Sequence, residues 1–116
     1  MYLWHITSRE AWGAARASGE YTAGSLVTEG FIHLSTELQW RATASRFYRG
    51  QAGLLVLRIL EPKLRATLKY EAADGDQYPH LYGALNLDAV DAVFELTLAA
   101  DGTHRLGEMM AQPVTP

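Results

Sequence analysis

Cysteine is absent from this 116-residue chain. That excludes disulfides, thiolate nucleophiles, iron–sulfur clusters and cysteine-ligated zinc. Long apolar runs are missing too. No stretch approaches the ~18 residues a membrane-spanning helix needs, and GLLVLRIL, residues 53 to 60, is interrupted by Arg58. There is no basic excess: 10 Lys and Arg stand against 13 Asp and Glu, for a net charge of -3. A nucleic-acid partner is therefore not expected, and the cluster Arg41, Arg46, Arg49 reads as a solvated helix face. Neither of the common glycine-rich phosphate loops occurs. The histidines lack H-x-H or H-x-x-x-H spacing, so no metal site is expected. MYLWHITSRE carries no basic stretch followed by an apolar one, so no targeting segment is expected and a cytoplasmic location is.

What remains is an ordinary globular balance, 48% hydrophobic and 20% charged residues, in a length that suits one domain with its own core. The expected domain is 1–110, with 111–116 a flexible tail.

Local patterns predict the elements. Tyr2 to Ile6, β-branched and aromatic, reads as a strand. Thr7 or Ser8 then caps a helix over Ser8 to Ala17, with Glu10 completing a capping box from Thr7 and Gly19 as its stop. That helix turns Ala11, Trp12 and Ala15 to one side. Residues 20–30 read as loop, and Phe31 to Ser35 as a second strand. Thr36, with Gln39 three residues on, caps a helix reaching Tyr48. Gly53 to Leu60 predicts a strand buried on both faces, ended by Pro62. Leu64 to Glu71 alternates as another. Residues 72–84, AADGDQYPHLYGA, carry Asp-Gly, Pro and Gly punctuation and read as a long loop. Val90 to Leu98 is a strand, and the Asp101-Gly102 turn leads to a hairpin partner over Thr103 to Met109. Helices early and strands late define an α+β domain: a mixed or mostly antiparallel split sheet with two helices in the N-terminal half.

Histidine is the side chain tunable near neutral pH. His5 and His33 share a setting, late in a short strand and just before hydroxyl residues that open a helix: His5-Ile6-Thr7-Ser8 and His33-Leu34-Ser35-Thr36. A helix start offers unpaired N–H groups and partial positive charge to an anion, and imidazole beside it can bind a ribose hydroxyl or move a proton. The stretch YPHLYG adds His80, Tyr78 and Tyr82, groups suited to stacking on a planar ligand. Glu71 and Asp76 are available to orient a histidine. His104, after the Asp-Gly turn, reads as exposed and inert. Ser25 lacks a nucleophile-elbow setting. Against these readings stand bland ones: a half-buried strand histidine bonded to backbone, ordinary helix caps, and a loop packed on itself.

LWHIT, Ser25-Leu26 with EGFIHLS, FYRGQ, LLVL and PHLYGALNLDAV match in order the pattern of domain of unknown function 952, which the chain resembles from Tyr2 to about Leu98. The resemblance implies a fold grouped with ADP-ribosyltransferases and RNA 2′-phosphotransferases, enzymes that use NAD. There an early strand supplies a histidine that holds a ribose hydroxyl, a following strand an aromatic or histidine near the nicotinamide, and a later strand a glutamate. By position His5 resembles the first and His33 the second. For the third, Glu95, Glu71, Asn86 and His80 stand available, with Glu71 assigned the catalytic role. No arginines answer to those that hold the RNA 2′-phosphate. The resemblance thus implies an NAD- or nucleotide-using ADP-ribosyl-transfer enzyme, or a non-catalytic nucleotide or metabolite-binding module with the same pocket. In either, Thr7, Ser8, Ser25, Ser35, His80 and Tyr82 would contact a small-molecule or nucleotide ligand.

Overall fold

In a computed structural model, which describes residues 1–110, the chain forms a single α+β domain whose strand pairings are all antiparallel. The expected tail, 111–116, lies outside the described residues. The strands are β1 (Tyr2–Ser8), β2 (Glu20–Tyr21), β3 (Ile32–His33), β4 (Ser35–Thr36), β5 (Leu54–Leu60), β6 (Thr67–Ala73), β7 (Asp76–Tyr82), β8 (Leu85–Asn86), β9 (Val90–Leu98) and β10 (His104–Met109). The helices are α1 (Arg9–Ser18), α2 (Gly24–Thr28) and α3 (Trp40–Phe47). A five-stranded sheet runs in the order β10-β9-β5-β1-β4, a three-stranded sheet β3-β7-β6, and β2 pairs with β8. No helix among the described residues is long and apolar enough to cross a membrane.

The large sheet is buried on both faces, which is why β1 and β5 read as near-continuous apolar runs. Leu3, Leu55, Leu57, Ile59 and Val93 point into one core with Trp12 and Ala15 of α1 and Ile32 and Leu81 of the small sheet. Trp4, Ile6, Val56, Phe94 and Leu96 point the other way, against Trp40 and Ala44 of α3. There the indoles of Trp4 and Trp40 stack at 5.4 Å.

Several expectations need correction. Ser8, not Thr7, caps α1: its Oγ accepts the Ala11 N–H at 3.1 Å. Thr7 lies within β1, whose ladder with β5 continues to Ser8 paired with Leu54. Helix α3 starts at Trp40, with Gln39 at the cap position three residues later than the expected Thr36, because Thr36 remains paired with Leu3 of β1. Half of the expected capping box is nevertheless present, since Gln39 Oε1 accepts the Thr36 N–H at 3.0 Å. The expected loop at 20–30 holds β2 and α2, making a third helix.

The largest departure is 72–84. It forms the end of β6 and the whole of β7, joined at Asp74-Gly75 with φ of 50° and 80°. Two positive φ values make the two-residue turn whose twist matches that of a hairpin. Pro79 sits inside this strand because its carbonyl faces β3, accepting the Leu34 N–H at 3.0 Å. Its missing N–H therefore faces that same side, where the chain leaves for β4, and the β6 ladder loses nothing.

Candidate functional site

The stretch Phe31 to Ser35, expected as one strand, is two short ones, and the second takes in Thr36. Ile32 and His33 pair with Leu81 and His80 of the small sheet, whereas Ser35 and Thr36 pair with Trp4 and Leu3 of the large one. The chain changes sheets at Leu34, and a cleft of about 700 Å³ opens beside that crossing. His5, Thr7, Ser8, Ser25, His33, Ser35 and His80 all line it, so seven of the nine expected site residues share one cavity. Glu71 and Tyr82 are not in the lining and sit behind His80. Tyr78, named with the YPHLYG stretch, lines the cleft as well, and so do Tyr21, Thr43 and Tyr48, which were not singled out for it. Tyr21 carried no signal, because nothing in the sequence says that β2 brings it beneath β1.

His5 is buried with both ring nitrogens engaged. Nδ1 lies 2.7 Å from the His33 carbonyl and Nε2 2.8 Å from the Tyr21 hydroxyl, which is 2.9 Å from Thr7 Oγ1. A carbonyl can only accept, so Nδ1 carries the proton. Nε2 of the neutral ring is then an acceptor facing the Tyr21 hydroxyl, which is also hydrogen-bonded to the Thr7 hydroxyl. Burial is the main reason the His5 pKa falls from 6.5 to about 4, only partly opposed by the bond to the His33 carbonyl. Burial likewise raises the Tyr21 phenol above its ordinary value. His5 is thus a fixed neutral imidazole and not a mobile proton donor at neutral pH.

His33 is different in kind. Its side chain is half exposed and its Nε2 meets Glu29 at 3.0 Å. Backbone and side chain divide their work here: the carbonyl holds His5 while the ring faces the cleft.

His80 is 5% exposed. Its ring stacks on Phe31 at 4.0 Å and meets the His33 ring edge-on at 5.2 Å. Nδ1 lies 2.8 Å from Glu71 Oε1, the oxygen that also accepts the Tyr82 hydroxyl. These two bonds, Tyr82 first, hold the Glu71 carboxyl below the usual carboxylate range, and the same contact raises the Tyr82 phenol. Nε2 of His80 is buried without a partner. These residues share a surface because β7 places Tyr78, His80 and Tyr82 on one face, opposite Pro79 and Leu81 in the core.

The lining includes neither Lys nor Arg, and its one carboxylate is Asp74 at the hairpin turn. Hydroxyls, imidazoles and the start of α1 are its polar equipment, and Phe47, Tyr48 and Tyr78 its planar groups. Asp76, a candidate to orient a histidine, instead accepts from Gln39 Nε2 at 2.9 Å, tying the hairpin tip to the start of α3. His104 is likewise engaged, its Nε2 lying 2.7 Å from the Gln51 carbonyl, so it is not a free surface group.

Fold and cleft together define a small, mostly antiparallel α+β protein with an imidazole-lined cavity. The chain belongs to the family described as "Protein of unknown function (DUF952)", whose model matches residues 6–93. It is similar to protein CC0527 from Caulobacter crescentus. The crystal structure of that protein is 37% identical, with a TM-score of 0.84 over 90% of this chain and 94% of that one. Its solution NMR structure gives 37% identity and a TM-score of 0.73 over 88% and 90%. No curated protein matches the chain.

Proposed function

We propose that the cleft binds a nucleotide of the NAD class and supports ADP-ribosyl transfer. The observation that carries this reading is the convergence of His5, His33 and His80, from three separate strands, on one cavity of about 700 Å³. That volume is in the range that encloses a small organic ligand. The planar groups suit a base or nicotinamide ring. With no cation in the lining, a diphosphate would rest on the N–H groups at the start of α1 and on Ser and Thr hydroxyls. The resemblance to NAD-using enzymes supports the same choice of ligand.

His5, locked by the His33 carbonyl and Tyr21, orders the wall against which a ribose would lie. His33 offers the ring that is free to turn toward a ligand. Calorimetric titration with NAD and with ADP-ribose is the test: binding to the wild-type protein, weakened by His33→Ala, is expected. No heat at millimolar ligand overturns the reading.

One observation favours a second reading, a binding module without turnover. Glu71, assigned the catalytic role by resemblance, stands behind His80 and does not line the cleft, so no glutamate of the lining faces a developing oxocarbenium charge. Binding of NAD without nicotinamide release would select this reading over transfer.

A further inference from the structure

We propose that His80, oriented by Glu71, is the general base that takes the proton from a hydroxyl acceptor, so that the transferred group goes to water or an alcohol. This rests on the nucleotide reading of the cleft and assigns its second substrate.

The three cleft histidines are not equivalent. His5 has no free nitrogen, because the His33 carbonyl and the Tyr21 hydroxyl occupy both. His33 spends Nε2 on Glu29 at the surface. Among the described residues, His80 alone of the three keeps a buried nitrogen with no partner, in a ring that is 5% exposed, whereas the His33 side chain is half exposed and open to water. Its tautomer is fixed by chemistry. Glu71 Oε1 receives the Tyr82 hydroxyl and His80 Nδ1, and a carboxylate can only accept, so the proton lies on Nδ1. In the neutral ring the lone pair is therefore on Nε2. An orphaned acceptor in a buried ring is costly to maintain, and a carboxylate on the opposite nitrogen is what stabilises the imidazolium that a base becomes. Glu71, which seemed misplaced as a cleft carboxylate, has a role behind the histidine.

Ligand reaches Nε2 as the His33 ring gives way, since that half-exposed ring packs edge-on to His80 and Phe31 and its one side-chain hydrogen bond among the described residues is to Glu29. The hydroxyl oxygen then bonds to ribose C1′ while its proton passes to His80 Nε2. The C1′–nitrogen bond breaks and its electron pair leaves with nicotinamide. No further reactant is required.

Two measurements test this. Nitrogen NMR of the imidazoles in the ligand-free protein should find His80 protonated on Nδ1 and bare on Nε2; a proton on Nε2 overturns the assignment whatever the protein binds. Because His80 is buried and stacked, the kinetic variant is Glu71→Gln, which preserves shape and removes charge. Its thermal unfolding is checked first. With NAD in buffer, and with added methanol as a second hydroxyl acceptor, Glu71→Gln should bind NAD as the wild type does and release nicotinamide at least about tenfold more slowly, the low end of what a general base contributes. Unchanged release overturns the proposal. So does binding by the wild type with no release, which leaves the binding-module reading standing. Failure to bind NAD at all is seen separately by calorimetry and removes the nucleotide reading itself.

Discussion

The Tyr21 hydroxyl lies 2.8 Å from His5 Nε2 and 2.9 Å from Thr7 Oγ1, bridging two β1 residues from a two-residue strand that sheet pairing ties to β8. Tyr21→Phe keeps the ring and removes this bridge. It leaves an imidazole nitrogen buried and unpaired, which costs about 1–3 kcal/mol. Urea unfolding should show a lower midpoint with an unchanged slope.

The same burial makes stability depend on pH. With a folded-state pKa of about 4 against 6.5 unfolded, His5 stays neutral in the native protein while the unfolded chain takes up a proton. The unfolded state then binds more protons, so stability falls as pH drops from 6.5 toward 4 and is fully present above that window. The loss from this group approaches about 3 kcal/mol at most. An imidazole NMR titration checks it directly, and a His5 ring that titrates near its ordinary value would refute the account.

Gly83 closes the YPHLYG stretch at φ 153°, and a Cβ there would lie 2.8 Å from the Ala66 Cβ. Gly83→Ala forces β7 away from the segment preceding β6. A cost of about 1–3 kcal/mol is expected from the overpacking, read as a lower unfolding midpoint. Gly24→Ala, where a Cβ meets nothing within 4 Å, is the control and should be near neutral.

Gln39 is a buried fastener. Its amide accepts from Thr36 N–H and donates to Asp76 and to the Gln77 carbonyl at 2.7 Å. Gln39→Ala strands these partners and frees the hairpin tip from α3. Hydrogen exchange should accelerate at Asp74 to Gln77 more than in β5. Exchange that rises uniformly would instead mark a global loss of stability.

The parts legible in the sequence were those decided by neighbours along the chain. Burial of β5 on both faces followed from its unbroken apolar run, and Gly19 as the stop of α1 from its left-handed backbone, φ 97°. The hairpin at 72–84 was missed because Pro79 and Gly83 outweighed the Asp-Gly signal. What reconciled a proline with a strand was the departure of β3, a partner some 45 residues upstream in sequence terms that local reading does not see. The site split along the same line. His5, His33 and His80 could be picked by residue type, and the cleft does gather them. Tyr21, and the position of Glu71 behind His80, depend on pairings between distant segments.

The crossing at Leu34 has a consequence for folding and binding. The walls of the cleft draw on β1, β2, β3, β4, β7 and the three helices, and they meet only when both sheets have formed around one peptide. The cavity is therefore assembled from contacts far apart in sequence and is whole only in the native arrangement. Any compound that occupies it binds only the native state, so its affinity can be read as a rise in unfolding temperature even before a reaction is known.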